Sequence, residues 1–339
     1  MNAPVQPPVA ARTAARTLTR ITALDPAAVD MAAPLGASVT LPNPVSTASG
    51  CAGYGRELAA FVPLGELGTL TTKTVMLRPR QGRPTPRMAE TPSGMLNSIG
   101  LQGSGVDHLV ARELPWLAER GARVLVSVAG ERPEEFAEAA ARLTGAPGVV
   151  GVEVNISCPN VANRGLVFAA DPDSAHEVVA AVRAATDPAL PVYAKLTPDV
   201  TSIVDVAAAC VAAGADGLSM INTLLGMRID PVTLRPALAG VTGGLSGPAV
   251  RPVAVRCVHQ VYAAMRRGDF RAVPILGMGG ITSGADALEF VLAGASGVAV
   301  GTAIFTNPSA PLDVLRELRR ELAERGFGSF RDAVGYAHR

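Results

Sequence analysis

The sequence predicts an α/β fold and, within that class, a (β/α)8 barrel. Eight apolar runs have the length and composition of buried strands, and segments with helical periodicity lie between most of them. Glycine and polar residues collect where these runs end, as they do at the ligand-binding face of such a barrel. The pattern occupies roughly 300 residues, against about 250 for a barrel without insertions. A doubly wound open sheet is the alternative, because short strands do not determine whether a sheet closes.

Each predicted element follows from its own pattern. The strand segments are short apolar runs at residues 44–49, 67–73, 123–128, 149–155, 192–196, 217–222, 274–277 and 297–301. The helical segments repeat apolar residues every three or four positions, at residues 106–119, 134–143, 173–185, 203–213, 248–265 and 285–293. Two of these helices end in Ala-Gly-Ala, where glycine suits a helix C-cap and the next strand follows directly.

Composition sets the outer bounds on function. A formal net charge of +1 gives no indication of a nucleic-acid partner. The four cysteines lack metal-site spacing, and no apolar run reaches the roughly 20 residues that span a bilayer. We expect residues 1–38, which are rich in Ala, Pro, Thr and Arg, to form a flexible extension, and residues 39–339 to form the barrel. We therefore expect a cytoplasmic protein; a transit peptide is the alternative for the Arg-rich, acid-poor start.

Two connections are longer than plain strand-to-helix loops. They comprise residues 74–105, after the second strand, and residues 223–247, after the sixth, and both are rich in Gly, Pro and Arg. Long loops at the active face of a barrel usually cover or shape a site. A surface excursion with a small hairpin is the other interpretation, and the two are compatible.

The strand ends predict a binding site for an anionic or carbonyl-rich ligand. Lys73 and Lys195 stand at the ends of the second and fifth strands, and Asn155 and Asn222 at the ends of the fourth and sixth. Cys158 lies in the loop after the fourth strand, where a thiol is a candidate base or nucleophile. Glycines precede helices after the last two strands, the usual place for phosphate in such barrels. These glycine segments are Gly279-Gly280 and Gly301-Thr302, with Gly247 as a third contributor.

The chain resembles the class 1 dihydroorotate dehydrogenases, and most closely the catalytic subunits of type 1B. The resemblance extends from about Pro42 to the C-terminus. It rests on the segments ASGC (48–51), TTKT (71–74), ETPSGMLNSIGLQ (90–102), NISCPNV (155–161), MINT (220–223), TGGLSGP (242–248) and GMGG (277–280). Members of this family are FMN-containing barrels that oxidise dihydroorotate to orotate in pyrimidine synthesis, so the resemblance implies that activity.

The resemblance also implies roles for the substrate-binding residues. Cys158 would take the proton from C5 of dihydroorotate while a hydride leaves C6 for the flavin, and Lys73 would lie between the flavin and the substrate carboxylate. An asparagine supplies both a donor and an acceptor, as the edge of a pyrimidine ring requires. The carboxylate would be held by Asn97, Ile99, Gly100 and Leu101, and the ring by Asn155, Asn160, Asn222 and Thr223.

The remaining implied roles concern FMN. Lys195 would meet the ring on its N1/C2 side and stabilise negative charge there. Ser49 and Gly50 would line the ring, with Cys51 packed nearby. Further FMN contacts would come from Lys73, Thr74, Asn155, Ile221, Gly247, Gly279, Gly280, Gly301 and Thr302.

The chain has no dinucleotide fingerprint or cysteine cluster of its own through which reduced FMN could pass electrons to NAD+. The type 1B resemblance therefore implies a separate subunit with FAD and a 2Fe-2S cluster, assembled on a homodimer of barrels. The N-terminal extension is longer than expected for this family. The sequence therefore does not determine the surface that binds the partner subunit.

Three other functions stay open on the sequence. The first is a related FMN barrel that acts on another pyrimidine, such as uracil or dihydrouracil; the segment from Asn97 to Leu101, together with Asn160, favours orotate. The second is an aldolase with Lys195 as a Schiff base, which leaves Cys158 and the asparagines unexplained. The third is a non-enzymatic binding protein, against which the number of polar strand ends argues.

Overall fold

The computed structural model describes residues 22–36, 38–157 and 168–339. Its centre is a sheet of eight parallel strands in which each strand lies beside its neighbours in the sequence. A parallel bridge between Ser46 and Thr69 joins the two ends of this sheet and closes it into a barrel. The strands are β1 (Val45–Thr47), β2 (Leu70–Thr71), β3 (Val124–Val128), β4 (Val149–Val154), β5 (Val192–Leu196), β6 (Gly217–Met220), β7 (Ile275–Met278) and β8 (Gly297–Val300).

The predicted (β/α)8 barrel is confirmed, and the doubly wound alternative is wrong. Every predicted strand segment overlaps one barrel strand, β5 has the predicted bounds, and β7 ends one residue beyond its predicted segment. β1 and β2 are shorter than predicted, with three and two residues in regular pairing. Their predicted C-terminal ends, up to Ser49 and Lys73, belong instead to the loops at one mouth of the barrel.

Helices follow the strands and bury one face each. Serines begin three of them by accepting a hydrogen bond from a backbone N–H of the first turn: Ser202 from Asp205, Ser283 from Asp286, and Ser329 from Asp332. The helices are α1 (Val106–His108, a π-helical turn Leu109–Glu113, and Leu114–Ala118), α2 (Pro133–Ala141), α3 (Pro172–Ala185), α4 (Ile203–Ala212), α5 (Arg251–Arg267), α6 (Gly284–Ala293), α7 (Ala310–Glu324) and α8 (Phe330–Ala333).

The barrel interior changes character along its axis. Side chains two residues apart on a strand share a face, so Tyr193 and Lys195 of β5 both point inwards. Towards the N-terminal ends of the strands, apolar residues fill the interior. This lower cluster consists of Leu35, Leu41, Leu125, Tyr193, Leu276, Met278 and Ala299, and its Met278, at the C-terminal end of β7, extends to the mouth of the barrel.

Part of the expected N-terminal extension packs against the barrel. Val29 and Met31 are buried, and Leu35 belongs to the lower cluster. Ala33–Pro34 pairs with Thr40–Leu41 as a short antiparallel ladder. The backbone N–H of Leu24 donates to the carbonyl of Ala323 in α7. Residues 22–36 are therefore held by the barrel, whereas the flexibility expected of residues 1–21 stays a prediction outside the described residues.

The two long connections meet in one four-stranded antiparallel sheet, which we call the cap sheet. Residues 74–105 contribute the strands Met88–Thr91 and Gly94–Asn97, and residues 223–247 contribute Leu224–Gly226 and Gly243–Ser246. The two halves join where Gly244 pairs with Asn97. The expected loop hairpins are thus present, but they combine into one structure over the mouth of the barrel.

Two general properties follow from the described part of the chain. None of its helices has the length and apolar character needed to cross a membrane. Nor does this part contain a group of three or more His, Cys, Asp or Glu side chains placed to hold a metal ion.

Candidate active site

A cavity of about 350 Å³ lies at the C-terminal ends of the barrel strands, between the barrel mouth and the cap sheet. Every predicted site residue that the structure describes lines this cavity. They are Ser49, Gly50, Lys73, Thr74, Asn97, Ile99, Gly100, Leu101, Asn155, Lys195, Ile221, Asn222, Thr223, Gly247, Gly279, Gly280, Gly301 and Thr302. Cys158 and Asn160 lie outside the described residues. The roles of all these residues stay predictions, although their convergence in one cavity is an observation.

A hydrogen-bond network fixes the two described asparagines that are predicted to bind a ring, Asn155 and Asn222. The Asn155 side-chain amide donates to Thr74 Oγ1 at 3.0 Å, and its oxygen accepts from Ser157 Oγ at 3.1 Å. The Asn222 amide donates to Ser157 Oγ at 2.6 Å, and its oxygen accepts from the backbone N–H of Thr223. Because the partners define which end of each carboxamide is the donor, the network orients both amides at the mouth.

The segment predicted to hold a carboxylate has a backbone shape that requires glycine. Gly100 has φ +78°, and a Cβ at this position would lie 2.7 Å from the backbone nitrogen of Arg83. The Gly100 carbonyl accepts a hydrogen bond from Nε of Arg80 at 3.2 Å. The Asn97 amide donates to the Gly244 carbonyl at 3.3 Å. This segment is therefore anchored from the arginine-rich loop and from the cap sheet.

The glycines after β6 and β7 also approach each other closely. Gly247 and Gly280 have φ values of +92° and +79°, and a Cβ on Gly280 would lie 2.7 Å from the Gly247 carbonyl. Gly301 and Thr302 stand beside them, at the start of the 3-10 turn Thr302–Phe305. Side chains are thus absent where a ligand can approach the backbone most closely, as a phosphate site requires.

Two lysines, Lys73 and Lys195, line the cavity. Lys195 is 3% exposed, and its Nζ lies 3.7 Å from Oε2 of the fully buried Glu153. Burial raises the pKa of the Cys51 thiol to about 11, although the charges of Lys195 and Lys73 act in the opposite direction. Desolvation outweighs these two charges at Cys51, so the thiol is neutral near pH 7 and is a packing group.

Sequence reasoning missed several residues that the structure places at the site. Ser157 connects the two asparagines, and Glu153 lies against Lys195. The position of Ser157 between Asn155 and Cys158 was a usable signal. Glu153 stands out as a charge within an apolar strand run, but the run alone does not reveal its partner. Other cavity residues come largely from the cap sheet and its surroundings: Met88, Met95, Leu245, Ser246, Val250, Met278 and Phe305.

Comparison with known proteins gives a consistent result. The family model described as Dihydroorotate dehydrogenase matches residues 35–322. "Dihydroorotate dehydrogenase B (NAD(+)), catalytic subunit" of Pelobacter propionicus is 52% identical over 299 residues, covering 88% of this chain and 96% of the relative. The protein of the same name from Desulforamulus reducens is 51% identical over 296 residues, covering 87% and 95%.

A solved structure supports the fold alone. The dihydroorotate dehydrogenase of Eimeria tenella, solved in complex with ferulenol, superposes with a TM-score of 0.77 at 24% sequence identity, covering 93% of this chain and 89% of that one. The sequence relatives and the family match, however, extend over most of the barrel and its cavity. This chain belongs to the dihydroorotate dehydrogenase family, with its close relatives among the class 1B catalytic subunits.

Proposed function

We infer that this protein is the catalytic subunit of a dihydroorotate dehydrogenase, an oxidoreductase that converts dihydroorotate to orotate in pyrimidine synthesis. The observation that carries the inference is the single cavity lined by every described residue to which the family resemblance assigns a role. The identity of about half of all aligned residues to named catalytic subunits supports the same activity. An enzyme acting on another pyrimidine is not favoured, because these relatives share one name and nearly their full length with this chain.

We propose FMN as the resident cofactor. The cavity has the size class of a ligand site, and its glycine-lined side fits a phosphate. Gly247, Gly279, Gly280, Gly301 and Thr302 would hold the phosphate end, and Ser49, Gly50, Thr74 and Ile221 would line the ring. Lys195 would stand against the ring, where its charge favours the reduced form. Bound FMN would supply the acceptor for the hydride that leaves the substrate.

The remaining cavity residues suit the substrate. Asn97 and the backbone at Ile99, Gly100 and Leu101 would hold the carboxylate, and Lys73 would supply the opposite charge. Asn155, Asn222 and Thr223 would pair with the ring amides, which the network through Ser157 keeps oriented. We propose Cys158 as the base that takes the C5 proton, with Asn160 as a further ring contact. Because a free thiol has a pKa near 8.5, the proposed base requires a nearby cation or polar groups to form the thiolate.

We also propose a partner. The relatives are named as NAD+-linked catalytic subunits, and a subunit so named implies another that completes the enzyme. We propose that this second subunit carries FAD and a 2Fe-2S cluster and passes electrons to NAD+. We further propose that the chain forms a homodimer and works in the cytoplasm. Light scattering of the purified chain tests the homodimer directly.

An anaerobic visible spectrum of the purified chain, before and after dihydroorotate is added, tests the proposed function. The expected result is a flavin absorption band that bleaches on addition. A flavin band that does not bleach would contradict the substrate. A colourless chain that FMN does not reconstitute would contradict the cofactor and revive the aldolase alternative.

Replacement of the proposed base gives the matching prediction. Cys158→Ala is expected to retain FMN and to lose about 10²–10⁴-fold in the rate of flavin reduction by dihydroorotate, the usual contribution of a general base. Stopped-flow bleaching of the flavin band measures this rate. Cys158→Ser is expected to keep a small activity with a more alkaline pH profile. Unchanged bleaching in the alanine variant would remove Cys158 from its role.

A further inference from the structure

Polar groups lie beneath the floor of the cavity, inside the barrel. Glu153 of β4 and Ser219 of β6 are completely buried, and Lys195 of β5 lies between these strands. Lys195 pairs in register with Ser219, and its side chain reaches the cavity surface, whereas Glu153 does not line the cavity. Lys195 therefore connects a buried carboxyl group to the site above it.

The carboxyl group of Glu153 is poorly compensated. Neither of its oxygens has a hydrogen-bond partner in the described part of the chain, and the same is true of Ser219 Oγ. The 3.7 Å between Glu153 Oε2 and Lys195 Nζ exceeds the usual range of a hydrogen bond. A carboxylate withdrawn from water costs several kcal/mol unless a counter-charge offsets it. Lys195 is the cation that the structure places within 4.0 Å, so the charge of Glu153 depends on it.

Among the described residues, the other titratable groups around this layer are Tyr193, Cys51 and Lys73. Tyr193 faces the same interior from β5, and burial, followed by the charge of Asp216, raises its pKa, so the phenol is neutral. Cys51 packs at the cavity, and its raised pKa of about 11 keeps the thiol protonated. Lys73 contributes a second positive charge at the cavity. The other strands face inwards with uncharged residues: Ser46, Thr69, Thr71, Ser127, Met278 and Ala299.

We propose that Glu153 and Lys195 form a charge-balancing pair, and that Glu153 takes up a proton when the flavin beside Lys195 is reduced. The proposal rests on the proposed function, which brings the FMN ring to the cavity face of Lys195. While the ring is oxidised and neutral, Lys195 balances Glu153. A negative charge on the bound ring would also be balanced by Lys195, and a proton from solvent would then neutralise Glu153, for which the described residues supply no other cation within 4.0 Å.

The electrons and protons of the step balance. Two electrons and one proton enter the ring, as a hydride from the substrate or as separate species from a chemical reductant. A second proton comes from solvent and forms the O–H bond of the Glu153 carboxylic acid. Glu153 itself is neither oxidised nor reduced, so it is a positioning and charge-balancing residue. The consequence is that two protons accompany the two electrons, although only one is bound to the ring.

The test measures the flavin reduction potential against pH, with dithionite as reductant and a reference dye. For a two-electron couple, each proton taken up shifts the potential by about 30 mV per pH unit. The holoprotein is expected to show about 60 mV per pH unit, because two protons accompany the two electrons. Glu153→Gln is expected to show about 30 mV per pH unit, because its amide takes up no proton.

The control is Ser219→Ala, which removes a buried polar atom from the same layer and leaves the charges in place. It is expected to keep the wild-type slope. A wild-type slope of about 30 mV per pH unit would overturn the proposal. Equal slopes in wild type and Glu153→Gln would also overturn it, because the second proton would then reside elsewhere.

A second measurement covers the case in which Glu153→Gln does not fold. The reduced-minus-oxidised infrared difference spectrum of the wild type is expected to gain a carboxylic acid C=O band, which Glu153→Asp should shift. Absence of that band overturns the proposal without any glutamine variant. Dithionite reduces the flavin without dihydroorotate, so failure of the proposed substrate is distinguishable from failure of this step. A chain without flavin would instead defeat the proposed cofactor, and this proposal with it.

Discussion

The two ends of the barrel interior are built by the same strands but contain side chains of different character, apolar at one end and polar or charged at the other. At the N-terminal ends, Leu41 and Tyr193 belong to the apolar lower cluster, and the Tyr193 ring lies where a side chain on Gly217 would be. At the C-terminal ends, Lys195 and Asn155 face a cavity. A strand such as β5 contributes to both, with Tyr193 below and Lys195 above. Stability and chemistry are therefore divided along the barrel axis, two residues apart on one strand.

This division separates the substitutions that should affect folding from those that should affect activity. The lower cluster is filled with side chains, so removing one leaves a void. The upper end is open and charged, and its groups are placed for a ligand as well as for one another. Substitutions below should lower the free energy of unfolding, and substitutions above should lower turnover.

The largest expected effect is at the lower end. Tyr193→Ala should lower the free energy of unfolding by about 3–5 kcal/mol, because a fully buried ring is lost and a void remains. Urea unfolding measures the loss, and FMN affinity of the folded fraction should stay near that of the wild type. Tyr193→Phe, which keeps the ring, is the control. A stable alanine variant with lost activity would break the proposed division.

The next effect is at the upper end. Lys73→Met should lower the rate of flavin reduction by dihydroorotate by about 10²–10³-fold, since it removes a charge proposed to stabilise the reacting groups. Its free energy of unfolding should change by no more than about 1 kcal/mol, because Lys73 lies at the cavity and outside the lower cluster. Paired urea unfolding and stopped-flow measurements check both parts. A rate equal to that of the wild type would contradict the placement of Lys73 in the reaction.

The smallest expected effect concerns Cys51, which lines the cavity, and the pH dependence of the free energy of unfolding. Burial raises the pKa of Cys51 from 9.0 to about 11, so the native thiol holds its proton more tightly than the unfolded one. This contribution is fully present below about pH 9 and is lost as the pH rises towards 11. Between about pH 8 and about pH 10, wild type should lose about 1 kcal/mol more than Cys51→Ala. Parallel pH dependences would show that Cys51 is not desolvated.

The sequence predicts the barrel because the pattern that identifies strands is local. The apolar run from Val149 and the polar Asn155 that follows it are adjacent in the chain, and they are also adjacent in the structure. For the same reason, the residues that end each strand could be assigned to one mouth before the fold was known. Closure of the sheet is not part of this local pattern, because it depends on the pairing of Ser46 with Thr69 between the two ends of the sheet.

Non-local pairing limits the rest of the prediction. The inward direction of Glu153 depends on its alignment with Ser127 and Tyr193, and an irregularity between Val124 and Leu125 shifts the register of β3 against β4. The burial of Leu35 could not be inferred either, because residues rich in Ala and Pro resemble a loose extension in composition. Apart from Leu41 and Val39, its apolar neighbours lie on barrel strands far along the chain, the first of them Leu125.

The cap sheet has a consequence for how ligands enter. Its two halves come from separate excursions, yet Gly244, Leu245 and Ser246 pair with Asn97, Leu96 and Met95. To lift one excursion alone would break these backbone contacts, and the Asn97 side chain adds its own hydrogen bond to Gly244. The cap sheet over the cavity is therefore one continuous unit, so any opening that admits a ligand would also move the segment proposed to hold the carboxylate.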